Sequence, residues 1–129
     1  MMTLDDIDRK ILKILQENAR TSLKTIAEKT FLSSPAVSAR IEKMEKDGII
    51  SGYHALIDPI RLGYHILAFI NLNVDPDDKP KFYEFASNVP NVLECNCVTG
   101  EYSMLMKVAF QSTMELDLFI GQLQKFGKT

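Results

Sequence analysis

Two histidines and two cysteines are the residues of this 129-residue chain that most readily hold a metal ion. His54 and His65 lie on segments rich in β-forming residues, and no third ligand-type residue stands at a suitable spacing. Cys95 and Cys97 are two residues apart on a predicted strand, so both thiols would lie on one face. Such a pair could bind a metal or act as a redox switch, but the pattern favours two buried or interface cysteines. We therefore predict no metal site.

Catalytic signatures do not occur in the sequence, which has no Ser/His/Asp arrangement, no phosphate-binding loop and no glycine pattern of a nucleotide site. The sequence therefore gives no reason to expect an enzyme or a cofactor. One candidate ligand site remains, the segment Thr99-Gly100-Glu101-Tyr102-Ser103. It is either a plain hairpin turn, in which Gly100 supplies a positive φ, or a binding loop whose backbone amides the glycine leaves free. Composition alone favours the plain turn.

A second candidate binding site is the stretch from Ser33 to Gly48. It is predicted to be a helix, because Ser33 or Ser34 can cap its start, Pro35 suits its first turn and glycine can end it. Apolar residues recur at the spacing of a buried stripe, namely Val37, Ile41 and Met44. The remaining surface is narrow, small-residued and basic, which suits entry into a DNA major groove. The predicted contacting residues are Ser33, Ser34, Pro35, Ala36, Ser38, Ala39, Arg40 and Lys43. The alternative is an ordinary amphipathic helix with a solvated face.

Two shorter patterns precede this helix and would position it. Residues 4–17 carry an i, i+3, i+4 apolar stripe and form a predicted helix with Thr3 as its cap. Residues 22–30 form a second helix, with the predicted inner residues Leu23, Ile26 and Ala27. The three residues 31–33 join it to the basic helix. A short helix, a tight turn and a capped helix with a small basic face are typical of a helix-turn-helix.

The chain after Gly48 changes its pattern twice. Residues 49–57 are rich in β-forming residues and are predicted to be a strand or small wing. We place the winged helix-turn-helix in residues 1–58, a turn-rich linker in 59–64 and a second domain in 65–129. The second domain has the order β-α-β-β-α, which is the ferredoxin-like motif without its last strand. The chain ends where that strand should start, so we expect one sheet position to be empty and suspect a shortened sequence.

The first strand of the second domain shows a period of two. Alternate residues from Ile66 to Val74 are apolar and predict one buried face. Leu67 and Phe69 lie on the opposite face, which we predict to be a dimer surface.

Charge and composition bound the possible environments. Residues 1–58 hold nine basic and nine acidic side chains, whereas residues 59–129 hold six and eight, which gives the net charge of −2. A neutral first half can still bind DNA if its charges segregate by face. The chain has no apolar run long enough to span a membrane and no signal peptide, and its cysteines are too close to staple a fold. We therefore expect a cytoplasmic protein.

The order and spacing of several short motifs resemble the Lrp/AsnC (feast/famine) family of transcription regulators over nearly the whole chain. The N-terminal motifs are Leu4-Asp5-Asp6-Ile7-Asp8-Arg9-Lys10-Ile11-Leu12, Ile26-Ala27, Leu32-Ser33, Val37-Ser38-Ala39-Arg40-Ile41, Gly48-Ile49-Ile50 and Leu62-Gly63. The C-terminal motifs are Val98-Thr99-Gly100-Glu101-Tyr102 and Lys107-Val108. The resemblance implies a winged helix-turn-helix, a linker strand and a ferredoxin-like effector domain. It also implies binding to double-stranded DNA, dimers often assembled into octamers, and an amino acid or related metabolite bound near Thr99 to Ser103 at subunit contacts.

Three features depart from the family pattern. Phe31 stands in the helix-turn-helix turn where many members have glycine, Ser103 stands where many have aspartate, and the last strand is expected to be missing. Effector identity and the shape of the turn are therefore open, as are the operator, the sign of regulation and the choice between dimer and octamer.

Two other functions compete with a regulator gated by a small molecule. Haem-pathway decarboxylases resemble the same two-domain fold, but they would need a basic, histidine-bearing pocket. The second part of the chain offers only Arg61, Lys79, Lys81, Lys107, Lys125, Lys128 and His65 for it. The other alternative is an assembly module that keeps the helix-turn-helix for protein contacts. The basic face of the helix after Ser33 favours DNA over both.

Overall fold

A computed structural model describes residues 3–129 and divides the chain into two compact units, the first ending at Leu56 and the second beginning at Ile57. The first unit holds three helices, α1 (Asp6–Glu17), α2 (Leu23–Thr30) and α3 (Ser34–Lys46). The second holds β1 (Ile66–Val74), α4 (Lys79–Ser87), β2 (Val92–Cys97), β3 (Met104–Phe110), α5 (Thr113–Leu123) and β4 (Gly127–Lys128). No helix within residues 3–129 is long and apolar enough to cross a membrane. The boundaries 1–58, 59–64 and 65–129 stay a prediction beside this division.

Side chains cap each of the three N-terminal helices. Asp5 caps α1 in a capping box with Asp8, so the prediction that Thr3 is the cap is wrong. A carboxylate at this position binds the free amides of the first turn and also suits the helix dipole. The helices α2 and α3 begin as predicted, since Ser22 accepts from the amide of Thr25 and Ser33 from the amide of Ala36.

The first unit buries one apolar residue or more from each helix. Its fully buried side chains are Ile11 of α1, Ile26 of α2, and Val37 and Met44 of α3. The predicted stripe on α3 is confirmed, with Ile41 packed beside it. Leu23, predicted to face inward, is 41% exposed because it opens α2 and lies outside the cluster that Ile26 and Ala27 join.

The turn between α2 and α3 contains the one described non-glycine residue with a positive φ. Phe31 has φ 58° and ψ 34°, and its side chain is 92% exposed. The amide of Leu32 donates to the carbonyl of Ala27, which closes the end of α2. The left-handed position at the end of a helix is normally occupied by glycine. The turn therefore has the usual backbone conformation, but Phe31 is less stable in that conformation than glycine would be.

The predicted strand at 49–57 does not form. Ile49 and Ile50 lie against the helical core, but within residues 3–129 no segment pairs with this stretch. Its later residues are exposed, and Leu56 is fully exposed. β-forming residues make a strand only when a neighbouring segment supplies hydrogen-bond partners, and none of the described segments lies beside this one.

The second unit is an antiparallel sheet with the strand order β2-β3-β1-β4, and its core lies on the side that α4 and α5 cover. β1 pairs with β3 from Ile66 opposite Phe110 to Leu72 opposite Met104. Side chains alternate along β1 as predicted: Ile70, Leu72 and Val74 are buried, whereas Leu67 and Phe69 are exposed on the other face.

The fourth strand, predicted to be absent, is present as a two-residue strand at the edge. Gly127 pairs with Val74 and Lys128 with Asn73. The sequence pattern failed here because a two-residue strand has no period to read. A Cβ atom on Gly127 would overlap the carbonyl oxygen of Asn73, so this pairing requires glycine.

Candidate functional site

The eight predicted DNA-contacting residues all lie at the start or along one side of α3. Ser33, Pro35, Ala39 and Lys43 are exposed, and the partly buried members are Ser34, Ala36, Ser38 and Arg40. The stripe that holds the helix in place, Val37 and Met44, faces the opposite way into the core. The exposed strip thus has short side chains towards the N-terminus of α3 and a basic side chain towards its C-terminus.

Arg40 carries an ion-pair cluster that the sequence reading missed. Its Nη1 donates to both carboxylate oxygens of Asp5, at 2.8 and 2.7 Å, and to Oδ1 of Asp8 at 3.0 Å. The hydrogen bond from Arg40 holds the pKa of Asp5 below its usual value, and the two carboxylates raise the pKa of the guanidinium. Two aspartates three residues apart at a helix start are the only local signal in the sequence, and it does not identify Arg40 as their partner.

Lys43 differs from Arg40 in its surroundings. It lies three residues further along α3 and is exposed, as is Lys46 in the last turn. No ion pair of Lys43 occurs among residues 3–129. Glu42 and Glu45 of the same helix are also exposed.

The predicted ligand loop joins β2 to β3. The amide of Val98 donates to the carbonyl of Ser103 at 2.9 Å, which closes the loop around four residues. Gly100 has φ +117°, and no atom outside its neighbours lies within 4 Å of where its Cβ would be. Thr99, Gly100 and Glu101 are exposed, whereas Tyr102 is partly buried. The loop is thus both a glycine turn and an open set of polar groups.

Ser103, the last residue of this loop, is tied to β1. Its Oγ accepts from the amide of Val74 at 2.9 Å and lies 3.4 Å from the carbonyl oxygens of Leu72 and Val74, either of which can receive its proton. The hydroxyl thus holds the loop against the end of β1, and its bonding capacity is largely used within the chain.

The two cysteines lie on one face of β2 as predicted, opposite Met106 and Met104. Both are free thiols, and the hydroxyl of Tyr83 lies 3.2 Å from Sγ of Cys97. This hydrogen bond raises the pKa of Tyr83, whereas burial raises the pKa of Cys95. Among residues 3–129 no three His, Cys, Asp or Glu side chains are grouped in a way that could hold a metal ion.

Two family models match the chain, one in each unit. Residues 4–51 match a winged helix-turn-helix DNA-binding model, and residues 67–128 match the Lrp/AsnC ligand binding domain. The first match contains the whole of α1, α2 and α3. The second contains the sheet from Leu67 onwards and the loop between β2 and β3.

Individual relatives extend over most of the chain. It is 38% identical to the HTH-type transcriptional regulator FL11 of Pyrococcus horikoshii over 91% of this chain and 78% of that one. The solved structure of Bacillus subtilis LrpC superimposes with a TM-score of 0.91, at 27% identity, and covers 98% of this chain and 91% of its own. A Neisseria meningitidis regulator, NMB0573, solved as a complex with L-Met, superimposes with a TM-score of 0.87 at 32% identity over 92% of this chain and 78% of its own.

Proposed function

Because the chain belongs to the Lrp/AsnC family of transcriptional regulators, we propose that its α3 strip contacts operator DNA and that its Thr99 to Ser103 loop receives the effector. The protein is a DNA-binding regulator modulated by a small molecule. The proposed DNA contacts are Ser33, Ser34, Pro35, Ala36, Ser38, Ala39, Arg40 and Lys43. The proposed effector contacts are Thr99, Gly100, Glu101, Tyr102 and Ser103.

The shape of α3 carries the DNA half of this proposal. Pro35 and Ala39 are exposed and short, so the helix backbone can approach base edges closely. Lys43 is exposed further along the same helix, where a free ammonium can meet phosphate. The same surface favours binding over catalysis, so we propose that the chain is not an enzyme and that it acts on the chromosome in the cytoplasm.

Replacing Lys43 tests the DNA half. Loss of one phosphate contact should weaken binding of all duplexes and reduce the slope of log K against log salt by about 0.9. Gel shifts over a salt series, with the upstream region of the protein's own gene and a scrambled duplex, measure both quantities. Lys81→Ala removes an exposed lysine of the second unit and serves as the matched control. A Lys43→Ala slope equal to that of the wild type would remove Lys43 from the interface.

The open turn around Gly100 carries the effector half. A glycine with positive φ leaves backbone amides free for a carboxylate, and the exposed Glu101 can receive an ammonium group. These are the two charged groups of a free amino acid, which is the class of ligand bound by the Neisseria meningitidis neighbour. Ser103 would act mainly by holding the loop to Val74.

Calorimetry with each of the twenty amino acids tests the effector half directly. At least one should release or absorb heat on binding the wild type. Gly100→Val should abolish that heat, because a β-branched residue strains a backbone with φ +117°. Gly121→Val is the matched control, since this glycine has a negative φ and open space around it. If no amino acid binds the wild-type chain, the amino-acid effector is wrong and the DNA half still stands.

We also propose that the protein assembles through the outer face of the sheet, as a dimer that can build an octamer. Leu67 and Phe69 are 47% and 64% exposed there, side by side along β1. A dimer places one recognition helix on each of two half-sites of the operator. Both are needed because one recognition helix reads too few base pairs to be specific. Light scattering should give a dimer or a multiple of it for the wild type and a smaller species for Phe69→Glu. Leu118→Glu, which changes an exposed leucine of α5, controls for the added charge. A monomeric wild type at micromolar concentration would contradict the proposal.

A further inference from the structure

We infer that Arg40 is a positioning residue and not a phosphate ligand. Its hydrogen bonds to Asp5 and Asp8 hold α3 on α1 in the orientation in which α3 binds DNA. The inference rests on the proposed function of α3 and replaces the DNA contact proposed above for Arg40 with a positioning role.

The geometry around Arg40 is that of a fixed tie between two helices. One nitrogen, Nη1, makes all three recorded bonds of its guanidinium, at 2.7 to 3.0 Å. Asp8 is only 3% exposed, so its charge is compensated inside the unit by this arginine. Charge-assisted bonds of this length are among the strongest in proteins, and leaving one buried partner alone is costly.

The two carboxylates are themselves held by the first turn of α1. The amide of Asp8 donates to Oδ1 of Asp5 at 2.8 Å, and the amide of Asp5 donates to Oδ2 of Asp8 at 3.2 Å. Both acceptors are therefore held by bonds that do not involve Arg40. Because Arg40 lies in the middle of α3, this tie acts on the centre of the helix and sets its position over α1.

The charge of the cluster argues against a phosphate contact. Asp5, Asp8 and Arg40 together carry one net negative charge, so an approaching phosphate would be repelled as well as attracted there. Lys43 carries an uncompensated positive charge among the described residues of the same helix. Phosphate therefore binds at Lys43, while Arg40 fixes the helix that presents it.

Removing the carboxylates gives opposite results for the two roles. If Arg40 positions α3, Asp8→Asn and Asp5→Asn should each weaken DNA binding, by roughly tenfold for the buried Asp8. If Arg40 is a phosphate ligand, both changes should tighten binding, because they free the guanidinium and remove a negative charge. Asp5→Asn is the gentler variant, since asparagine caps a helix as well as aspartate does. Asp6→Asn is the matched control: this exposed residue lies between them and makes no ion pair among residues 3–129.

The measurements use the full-length chain and a duplex that the wild type selects from a random-sequence pool. Failure of the wild type to select any duplex would overturn the proposed function itself. If the wild type binds, tighter binding by Asp8→Asn or Asp5→Asn overturns the positioning role, and weaker binding relative to Asp6→Asn supports it.

The salt dependence provides a second readout, because the loss of a phosphate contact changes the slope of log K against log salt and the loss of a tie between helices does not. Arg40→Gln should lower affinity and leave the slope of log K against log salt unchanged, whereas Lys43→Ala should reduce that slope by about 0.9. An equal reduction in Arg40→Gln would overturn the inference. Circular dichroism of each variant checks that it folds. If Arg40→Gln does not fold, the change in DNA affinity of Asp5→Asn decides between the two roles: weaker binding supports the positioning role and tighter binding overturns it.

Discussion

Replacing Phe31 by glycine should stabilise the helical unit. Phe31 has a left-handed backbone with φ 58°, a conformation in which a residue with a Cβ is less stable than glycine by about 1 kcal/mol. Its ring is 92% exposed, so removing it gives up little burial. It does give up the contact with the Lys10 ammonium, 6.0 Å from the ring centroid, which contributes about 0.5 kcal/mol at an exposed site. The free energy of unfolding should therefore rise by about 0.5 kcal/mol.

Phe31→Ala separates the backbone effect from the loss of the ring. Alanine also lacks the ring but keeps the strained backbone, so this variant should be less stable than the wild type by about 0.5 kcal/mol. The two variants should differ by about 1 kcal/mol, or about 4 to 8 °C in Tm for a unit of this size. Phe31→Asn should fall between them, because asparagine tolerates the left-handed region.

Urea denaturation of the full-length chain, followed by far-UV circular dichroism, measures these differences. Hydrogen exchange at the amides of Ile11 and Ile26 reports on the helical unit by itself, since both residues are fully buried in it. Equal stability of the glycine and alanine variants would refute the reasoning, because any change would then come from the ring and not from the backbone.

Three further outcomes are expected in the second unit. Gly127→Ala should detach β4, because the new methyl group overlaps the carbonyl oxygen of Asn73, and hydrogen exchange at the Lys128 amide should lose protection. Ser103→Ala should lower stability by about 1 kcal/mol in urea, because it removes the acceptor of the Val74 amide at 2.9 Å. Burial raises the pKa of the Cys95 thiol, so its alkylation should begin at a higher pH in the folded chain than in urea, as mass spectrometry of the labelled peptide would show.

Sequence periodicity predicted the elements that bury one regular face. The stripe of Val37 and Met44 predicted α3, and the alternation from Ile66 to Val74 predicted β1. Both patterns repeat often enough to define a face, and local capping serines mark where α2 and α3 begin. The positive φ of Gly100 was likewise predicted, because it is a local property of a glycine in a turn.

The features that the sequence did not predict depend on distant partners. Arg40 looked like a free cation because its two partners lie 32 and 35 residues earlier, and no local pattern joins them. The hydroxyl of Ser103 is bound by β1, which lies 29 residues away in the chain. The strand predicted at 49–57 does not form, for the converse reason: its β-forming residues have no neighbouring strand among the described residues.

The double role of Asp5 makes the start of α1 and the docking of α3 a single cooperative event. The same carboxylate caps α1 and binds Arg40, so one proton on it would remove the helix cap and the interhelical tie together. Because Arg40 lowers the pKa of Asp5, its stabilising effect is present above the ordinary carboxyl value of 3.8 and is lost as the pH falls below it through the folded value. In acid, secondary structure at the start of α1 and tertiary packing against α3 should therefore be lost in one transition.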